Sequence, residues 1–181
     1  MMKYGTIRSM DIANGPGIRV SLFVSGCNFH CKNCFNQEAQ SFSYGEFYTQ
    51  NTKAEILSLV SSSHIAGLSI LGGDPMWQTN EDIMELIELC KEVHKLNKTV
   101  WIWTGFVWED IFANRHFVLD REAIDYSFRQ ELAKQADVLI DGPFVDNLKD
   151  LNLHWKGSSN QRVIDVKKSL KANKPILYKE S

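Results

Sequence analysis

The sequence predicts an α/β protein built around a parallel sheet. Short apolar segments rich in β-branched residues alternate along the chain with segments of helical periodicity, an order typical of β/α units. Glycine or cysteine residues follow several of the apolar segments, at the strand ends where parallel α/β folds bind ligands. The 181 residues suit one domain, which we expect to have a core at about 11–165 and a peripheral tail at 166–181.

Five segments are predicted to be strands. Each is short and largely apolar, and most end in turn residues. One of them is apolar as far as Thr104 and fits a strand that is covered on both faces. The five are IRVSLFVSG (18–26), GLSILGGDP (67–75), TVWIWTG (99–105), DVLIDGPF (137–144) and QRVIDV (161–166).

Three segments have the periodicity of amphipathic helices. The segment at 79–97 places five apolar residues on one face. The segment at 52–63 offers Thr52 as its N-cap, with Glu55 three residues further on. The third helix is predicted at 121–136. Helices between the strands complete the expected β/α order.

Composition and charge exclude several classes of protein. A net charge of −2 provides no basic face for nucleic acid. No apolar run approaches the roughly 18 residues of a membrane span, and the first 17 residues lack the apolar segment of a secretory signal. We therefore expect a cytoplasmic protein with neither nucleic acid nor membrane as a partner. Cytosolic thiols stay reduced, so clustered cysteines there indicate metal ligands or catalysts.

Three of the four cysteines lie within the eight residues of CNFHCKNC. Cys27, Cys31 and Cys34 have the spacing C-x3-C-x2-C, from which thiolates can converge on one metal centre. A structural zinc site requires a fourth nitrogen or sulfur ligand, and His30 is awkwardly placed beside Cys31. Iron–sulfur clusters are held by cysteine thiolates, commonly four. Three thiolates would leave one iron free to bind a substrate or cofactor.

The remaining cysteine has an ordinary explanation. Cys90 lies on the apolar face of the helix predicted at 79–97, and buried free cysteine is common. His94, one turn further on, is expected at the helix surface or with a satisfied partner. A zinc-binding interaction module that uses the three clustered cysteines with His30 or Cys90 stays open as an alternative of a different class.

Further motifs follow one another in a recognisable order. The C-x3-C-x2-C motif with an aromatic residue beside its last cysteine resembles the radical S-adenosylmethionine superfamily. The accompanying blocks are NGPGIR (14–19), SGCNFHCKNCFN (25–36), LGGDP (71–75), WTG (103–105), DGPF (141–144) and GSSNQR (157–162). With these blocks the chain resembles, from about Asp11 to about Arg162, the activating proteins of anaerobic (class III) ribonucleoside-triphosphate reductases.

The resemblance implies a fold and a cluster site. The fold would be an incomplete parallel (β/α) barrel of the radical S-adenosylmethionine type, with five to six strands. Cys27, Cys31 and Cys34 would ligate a [4Fe–4S] cluster, and its open iron would take the amino and carboxylate groups of S-adenosylmethionine. The residues that flank the last cysteine, Asn33 and Phe35, would meet the adenine.

The glycine-rich block would hold the rest of S-adenosylmethionine. In the family, the positions of Gly72, Gly73 and Asp74 use backbone groups to bind the methionine ammonium. Glycine suits this role because it permits close backbone approach to a ligand. Thr104 would reach the ribose or the methionine portion.

The resemblance also implies an activity and its partners. Reductive cleavage of S-adenosylmethionine would give a 5′-deoxyadenosyl radical, which abstracts a hydrogen from a glycine of the anaerobic reductase. A low-potential donor such as flavodoxin would supply the electron, and no catalytic residue is required beyond the cluster and S-adenosylmethionine site. Another glycyl radical enzyme, such as pyruvate formate-lyase, is an alternative target. The short chain and GSSNQR favour the reductase.

Other residues in these blocks have structural interpretations. Asn14–Gly17 is at minimum a turn into a strand, with a role near the cluster as an equal alternative. Arg19 is expected to be an ion-pair partner at a strand start, and Trp101 and Trp103 to be core residues. The block 157–162 is expected to be a loop that faces the site.

Overall fold

A central sheet of seven strands organises the molecule. The computed structural model describes residues 1–112 and 126–180. The strands are β1 (Lys3–Asp11), β2 (Ile18–Val24), β3 (Glu46–Phe47), β4 (Ile65–Gly72), β5 (Thr99–Trp103), β6 (Val138–Asp141) and β7 (Arg162–Asp165). Their spatial order is β3-β1-β2-β4-β5-β6-β7.

The middle of the sheet is parallel and its margins are antiparallel. Strands β2, β4, β5 and β6 pair in parallel, whereas β1, β3 and β7 run antiparallel to their neighbours. The predicted α/β class is confirmed. Four of the five predicted strand segments contain a whole strand, and the fifth, 67–75, contains β4 except for its first two residues. The predicted number of five to six strands is wrong because β1 and β3 extend the sheet beyond β2. Closure into a barrel stays a prediction.

The direction of β7 follows from the connection that precedes it. Residues 142–161 contain the short 3₁₀ turn Asp146–Leu148 and no α-helix. A parallel return usually requires a crossover helix, which this connection lacks. Strand β7 therefore runs antiparallel to β6, and its first residue, Arg162, pairs with Asp141.

Five helices accompany the sheet in the described part of the chain. They are α1 (Gln50–Val60), α2 (Asn80–Lys95), α3 (Trp108–Phe112), α4 (Tyr126–Gln135) and α5 (Val166–Ala172). The helix predicted at 121–136 corresponds to α4, and its residues 121–125 lie outside the described part. No described helix is both long and apolar enough to cross a membrane.

The structure confirms the predicted apolar face of α2 and contradicts the predicted N-cap of α1. The predicted apolar face of α2 is buried in the main core, including Cys90, whose side chain is fully buried. His94 lies 2.9 Å from the Gln135 carbonyl through Nε2, so it has the satisfied partner that was expected. Thr52 is not the N-cap of α1. Thr49 is, because its extended backbone precedes the helix and Thr52 closes a capping box with it.

A smaller apolar cluster covers the opposite face of the sheet. Trp101, Val138 and Ile140 form its centre, and Trp103, Trp155 and Tyr178 pack against them. Arg19 forms no ion pair with the described residues, contrary to the prediction: its guanidinium is buried and donates to Ser69 Oγ and the Leu68 carbonyl, each at 2.8 Å. Burial lowers the pKa of Arg19 to about 10.

Candidate functional site

Four sequence blocks and the GSSNQR loop meet at one edge of the sheet. Because β2, β4, β5 and β6 are parallel, the segments after Val24, Gly72, Trp103 and Asp141 all leave from the same edge. The antiparallel β7 begins at that edge, which also brings 157–162 there. The turn Asn14–Gly17 precedes β2 and therefore lies at the opposite edge, which supports its interpretation as a turn.

The cysteine loop is tightly wound. Cys27, Cys31 and Cys34 are free thiols and partly buried. His30 and Asn33 have left-handed backbone conformations, with φ of +48° and +55°. Asparagine tolerates this conformation better than most residues. Cys34 N donates to Cys31 O at 3.3 Å across the resulting turn, so that a short segment displays all three sulfurs.

Phe29 and the backbone of Cys27 anchor the cysteine loop. The Phe29 ring packs edge-on against Phe106 and Trp77, with centroid distances of 4.9 Å and 5.7 Å. Cys27 N donates to the Gln40 carbonyl at 3.0 Å. Sequence reasoning missed the role of Phe29, although a large aromatic residue inside a polar cysteine loop was an available signal.

The electrostatics of the thiols suit a cationic occupant. Burial raises the pKa of Cys27 to about 12, and the charges of Asp74, Cys31 and Cys34 add to this effect. Burial and the neighbouring Cys34 also raise the pKa of Cys31. Thiolates are the metal-binding form, so bound metal must overcome this cost. A positively charged metal centre would stabilise the thiolates.

The cysteine loop supplies donors of the type that holds iron–sulfur clusters. Cys27, Cys31 and Cys34 are free thiols, and cysteine thiolates are the usual ligands of such clusters. Within 1–112 and 126–180, no three His, Cys, Asp or Glu side chains are grouped to hold one metal ion.

The glycine pair after β4 packs directly against the start of the cysteine loop. Gly72 has a φ of +109°, and a Cβ there would lie 2.5 Å from the Val24 carbonyl oxygen. A Cβ on Gly73 would lie 2.5 Å from Gly26 O. Gly73 N and Asp74 N donate to Val24 O and Gly26 O at 2.7 Å and 2.8 Å. Glycine is required here because two backbones approach each other so closely.

The side chains of Asp74 and Thr104 bind each other. The buried Asp74 carboxylate accepts from Thr104 Oγ1 at 3.0 Å, Gly105 N at 2.7 Å and Met76 N at 2.8 Å. Burial raises the pKa of Asp74 to about 6, although these hydrogen bonds oppose the shift. This network connects the loop after β4 to the loop after β5. Because the Asp74 side chain is engaged in this network, the loop after β4 offers a ligand its backbone groups.

Asn33 and Phe35 contact the segment after β6. Asn33 Nδ2 donates to Asp146 Oδ2 at 2.8 Å. The Phe35 ring is 58% exposed and packs against Phe144 at a centroid distance of 5.2 Å. Lys149 Nζ lies 4.8 Å from the centroid of the Phe35 ring. Phe35 and Phe144 therefore provide adjacent aromatic surface beside the cysteine loop.

Two buried side chains that were not predicted from the sequence stabilise the loops of the site. Gln78 Nε2 donates to Ser25 O at 3.1 Å and to Asp74 O at 3.0 Å, which joins the two loops. Arg129 Nε donates to Met76 O at 2.7 Å, and its guanidinium lies 4.3 Å from the Phe106 ring centroid. Neither residue belongs to a motif: Gln78 follows the LGGDP block by three residues, and Arg129 reaches the site from α4.

Comparisons with known proteins show which family the chain resembles. The family model for a 4Fe-4S single cluster domain matches residues 13–164, which include the cysteine loop. A relative from Enterobacteria phage T4 is 38% identical over 163 residues, covering 90% of this chain and 93% of its own. Relatives from Vibrio cholerae and Escherichia coli K12 are 36% and 34% identical, and the matches cover 88% and 90% of this chain and 96% and 97% of theirs.

All three relatives carry the same name, anaerobic ribonucleoside-triphosphate reductase-activating protein. The matches extend over nearly the whole length of both partners, so they concern the entire fold and not the cysteine loop alone. The chain belongs to the iron–sulfur family of anaerobic ribonucleoside-triphosphate reductase-activating proteins.

Proposed function

We propose that the chain is a radical S-adenosylmethionine activase that generates a glycyl radical on an anaerobic ribonucleoside-triphosphate reductase. The observation that carries the proposal is the placement of three partly buried cysteines in one wound loop, beside the glycine pair at the carboxyl edge of the sheet. The names of the relatives supply the target.

Cys27, Cys31 and Cys34 would hold a [4Fe–4S] cluster and leave one iron without a protein ligand. When bound, the cluster with S-adenosylmethionine supplies the one-electron cleavage that yields methionine and a hydrogen-abstracting 5′-deoxyadenosyl radical. The protein contributes binding, orientation and exclusion of side reactions. A low-potential protein such as flavodoxin is the proposed electron donor.

The loops around the cysteines would position S-adenosylmethionine. The N–H groups of Gly73 and Asp74 are taken by Val24 and Gly26, which leaves glycine carbonyl oxygens to accept hydrogen bonds from the methionine ammonium. Thr104 is fixed by Asp74 and would face the ribose or the methionine portion.

The adenine would lie beside the last cysteine. Asn33 is held by Asp146, and the exposed Phe35 ring is supported by Phe144. Phe35 is 58% exposed, and an aromatic ring with this much accessible surface can stack on a base. Phe35 is therefore the proposed stacking residue, with Asn33 beside it.

Anaerobic reconstitution with iron and sulfide tests the proposal. The reconstituted protein is reduced in the presence of S-adenosylmethionine, and chromatography measures 5′-deoxyadenosine. We expect the product from the wild type and from Cys90→Ala, because Cys90 is a core residue, and none from Cys31→Ala. A protein that holds stoichiometric zinc, lacks sulfide and gives no product would overturn the proposal in favour of a zinc-binding interaction module.

A further inference from the structure

Two buried residues of opposite charge lie behind the cysteine loop. Asp74 and Arg129 are only 1% and 3% exposed. Both bind the same residue: the Asp74 carboxylate accepts from Met76 N at 2.8 Å, and Arg129 Nε donates to Met76 O at 2.7 Å. The proposed function uses the Asp74 carboxylate only to fix Thr104 and gives neither charge an effect on the cluster.

Asp74 is coupled to the cysteine loop by direct contact. Its N–H donates at 2.8 Å to the carbonyl of Gly26, the residue before Cys27. Gln78 bonds both Ser25 O and Asp74 O and reinforces this contact.

Arg129 lies one layer further from the loop. Its guanidinium covers the Phe106 and Trp77 rings at centroid distances of 4.3 Å and 5.1 Å, and Phe29 of the cysteine loop packs on the same two rings. Aromatic side chains thus separate the guanidinium from the cysteines. Asp74 offsets the cost of burying Arg129, since the carboxylate opposes the fall of the arginine pKa that burial causes.

We propose that Asp74 and Arg129 tune the reduction potential of the bound cluster in opposite directions, with Asp74 lowering it and Arg129 raising it. This inference rests on the proposed function. One electron from the external donor reduces the cluster and adds one negative charge to it. A buried carboxylate disfavours that added charge and a buried guanidinium favours it, because charges interact strongly in a poorly polarisable interior.

We expect Asp74 to have the larger effect. Its backbone bonds Gly26, the residue before Cys27, whereas rings lie between the Arg129 guanidinium and the cysteine loop, so the expected net effect of the pair is a lower potential. A cluster of lower potential is a stronger reductant, and reduction of a sulfonium requires one. The charged groups of Asp74 and Arg129 are in this sense positioning groups that act through the cluster, whereas the part of Asp74 assigned to S-adenosylmethionine is its backbone.

The test is an anaerobic redox titration of the reconstituted cluster, followed by electron paramagnetic resonance of its reduced form. We expect Asp74→Asn to make reduction about tenfold more favourable, an upward shift of about 59 mV for a one-electron couple. Arg129→Met should shift the potential downward. Arg129→Lys keeps the charge and should stay near the wild type.

The outcomes separate this inference from the proposed function. A wild-type protein that assembles no cluster overturns both. A wild-type cluster combined with shifts in the same direction, or with no shift, overturns the tuning role alone, because loss of structure gives no reason for opposite signs. If Asp74→Asn does not retain a cluster, Arg129→Met against Arg129→Lys decides: a downward shift confined to the methionine variant supports the tuning role, and equal potentials overturn it.

Discussion

Arg162 connects three segments at the edge of the site. Asp141 is fully buried and accepts hydrogen bonds from Trp108 N at 2.7 Å and Arg162 Nε at 3.0 Å. The same guanidinium makes a bidentate contact with the exposed Glu109, at 2.9 Å and 2.6 Å. One arginine therefore fixes the end of β6, the start of β7 and helix α3.

Replacing Arg162 should cost far more stability than replacing its exposed partner. Arg162→Met leaves the buried Asp141 carboxylate without its cation, which costs about 3 kcal/mol. Glu109→Gln removes an exposed contact worth about 1 kcal/mol or less. Urea unfolding of the two variants measures the difference, and equal losses would contradict the assignment of Asp141 as the important partner.

Alanine substitutions at Gly72 and Gly142 form a matched pair. They test the close approach of the Gly72 backbone to the Val24 backbone. Both have positive φ, +109° and +95°, so alanine is strained at either site. A Cβ at Gly142 meets nothing closer than 3.8 Å, whereas one at Gly72 would lie 2.5 Å from Val24 O. We expect Gly142→Ala to cost about 1–2 kcal/mol. Gly72→Ala should cost more and also reduce the iron content after reconstitution. Equal iron contents and equal unfolding energies would show that the close approach is unimportant.

The secondary structure elements that could be predicted from the sequence are those with a clear pattern of buried residues. Every residue of β2 after Ile18 is buried, and α2 has a continuous apolar face, so both give clear signals. Strand β1 was missed because it is half exposed and mostly polar, and pairs with β2 through two register irregularities. The direction of β7 depends on the absence of a crossover helix in 142–161, which strand propensity does not report.

The cap of α5 gives a pH-dependent prediction. The Asp165 carboxylate accepts from Lys168 N at 2.9 Å and lies 2.8 Å from Lys168 Nζ. Burial opposes ionisation, but the contacts with Lys168 outweigh it and lower the pKa of Asp165. Since the folded pKa lies below the unfolded one, this stabilisation is present above about pH 4 and is lost as the pH falls through the folded pKa.

Two variants test this cap. Asp165→Ala should lose about 1 kcal/mol at pH 7, and the loss should shrink below about pH 4. Asp165→Asn retains a capping oxygen and should lose less at pH 7. The free energy of unfolding, measured at both pH values, checks this. A loss in the alanine variant that does not change with pH would contradict the role of the carboxylate charge.

At the scale of the whole molecule, the candidate site combines local and distant contributions. Cys27, Cys31 and Cys34 could be predicted as ligands from their spacing because they lie in one loop. Gln78 and Arg129 could not be predicted, because their contacts with Ser25 and Met76 each span 53 positions in the sequence. The tendency of parallel α/β folds to bind ligands at the carboxyl ends of their strands predicted where the loops lie. The side chains that fix these loops could be identified only from tertiary packing.

Cluster binding should stabilise the entire fold. The cysteine thiols have raised pKa values and gain from a cationic occupant, so binding to the folded state adds to its stability. Removal of the cluster should lower the Tm by about 3 °C or more, the change expected from about 1 kcal/mol in a chain of this size. Anaerobic calorimetry measures the Tm before and after reconstitution. In the control variant Cys31→Ala, the Tm should not change when iron and sulfide are added. Identical Tm values for the wild type with and without cluster would contradict this coupling.

The most direct measurement of the central claim is electron paramagnetic resonance of the partner. The reconstituted protein, S-adenosylmethionine and a low-potential reductant are incubated anaerobically with the anaerobic ribonucleoside-triphosphate reductase, and in parallel with pyruvate formate-lyase. We predict a glycyl radical signal on the reductase, absent with Cys31→Ala and absent from pyruvate formate-lyase. A signal confined to pyruvate formate-lyase, or none on either enzyme despite an intact cluster, would contradict the account.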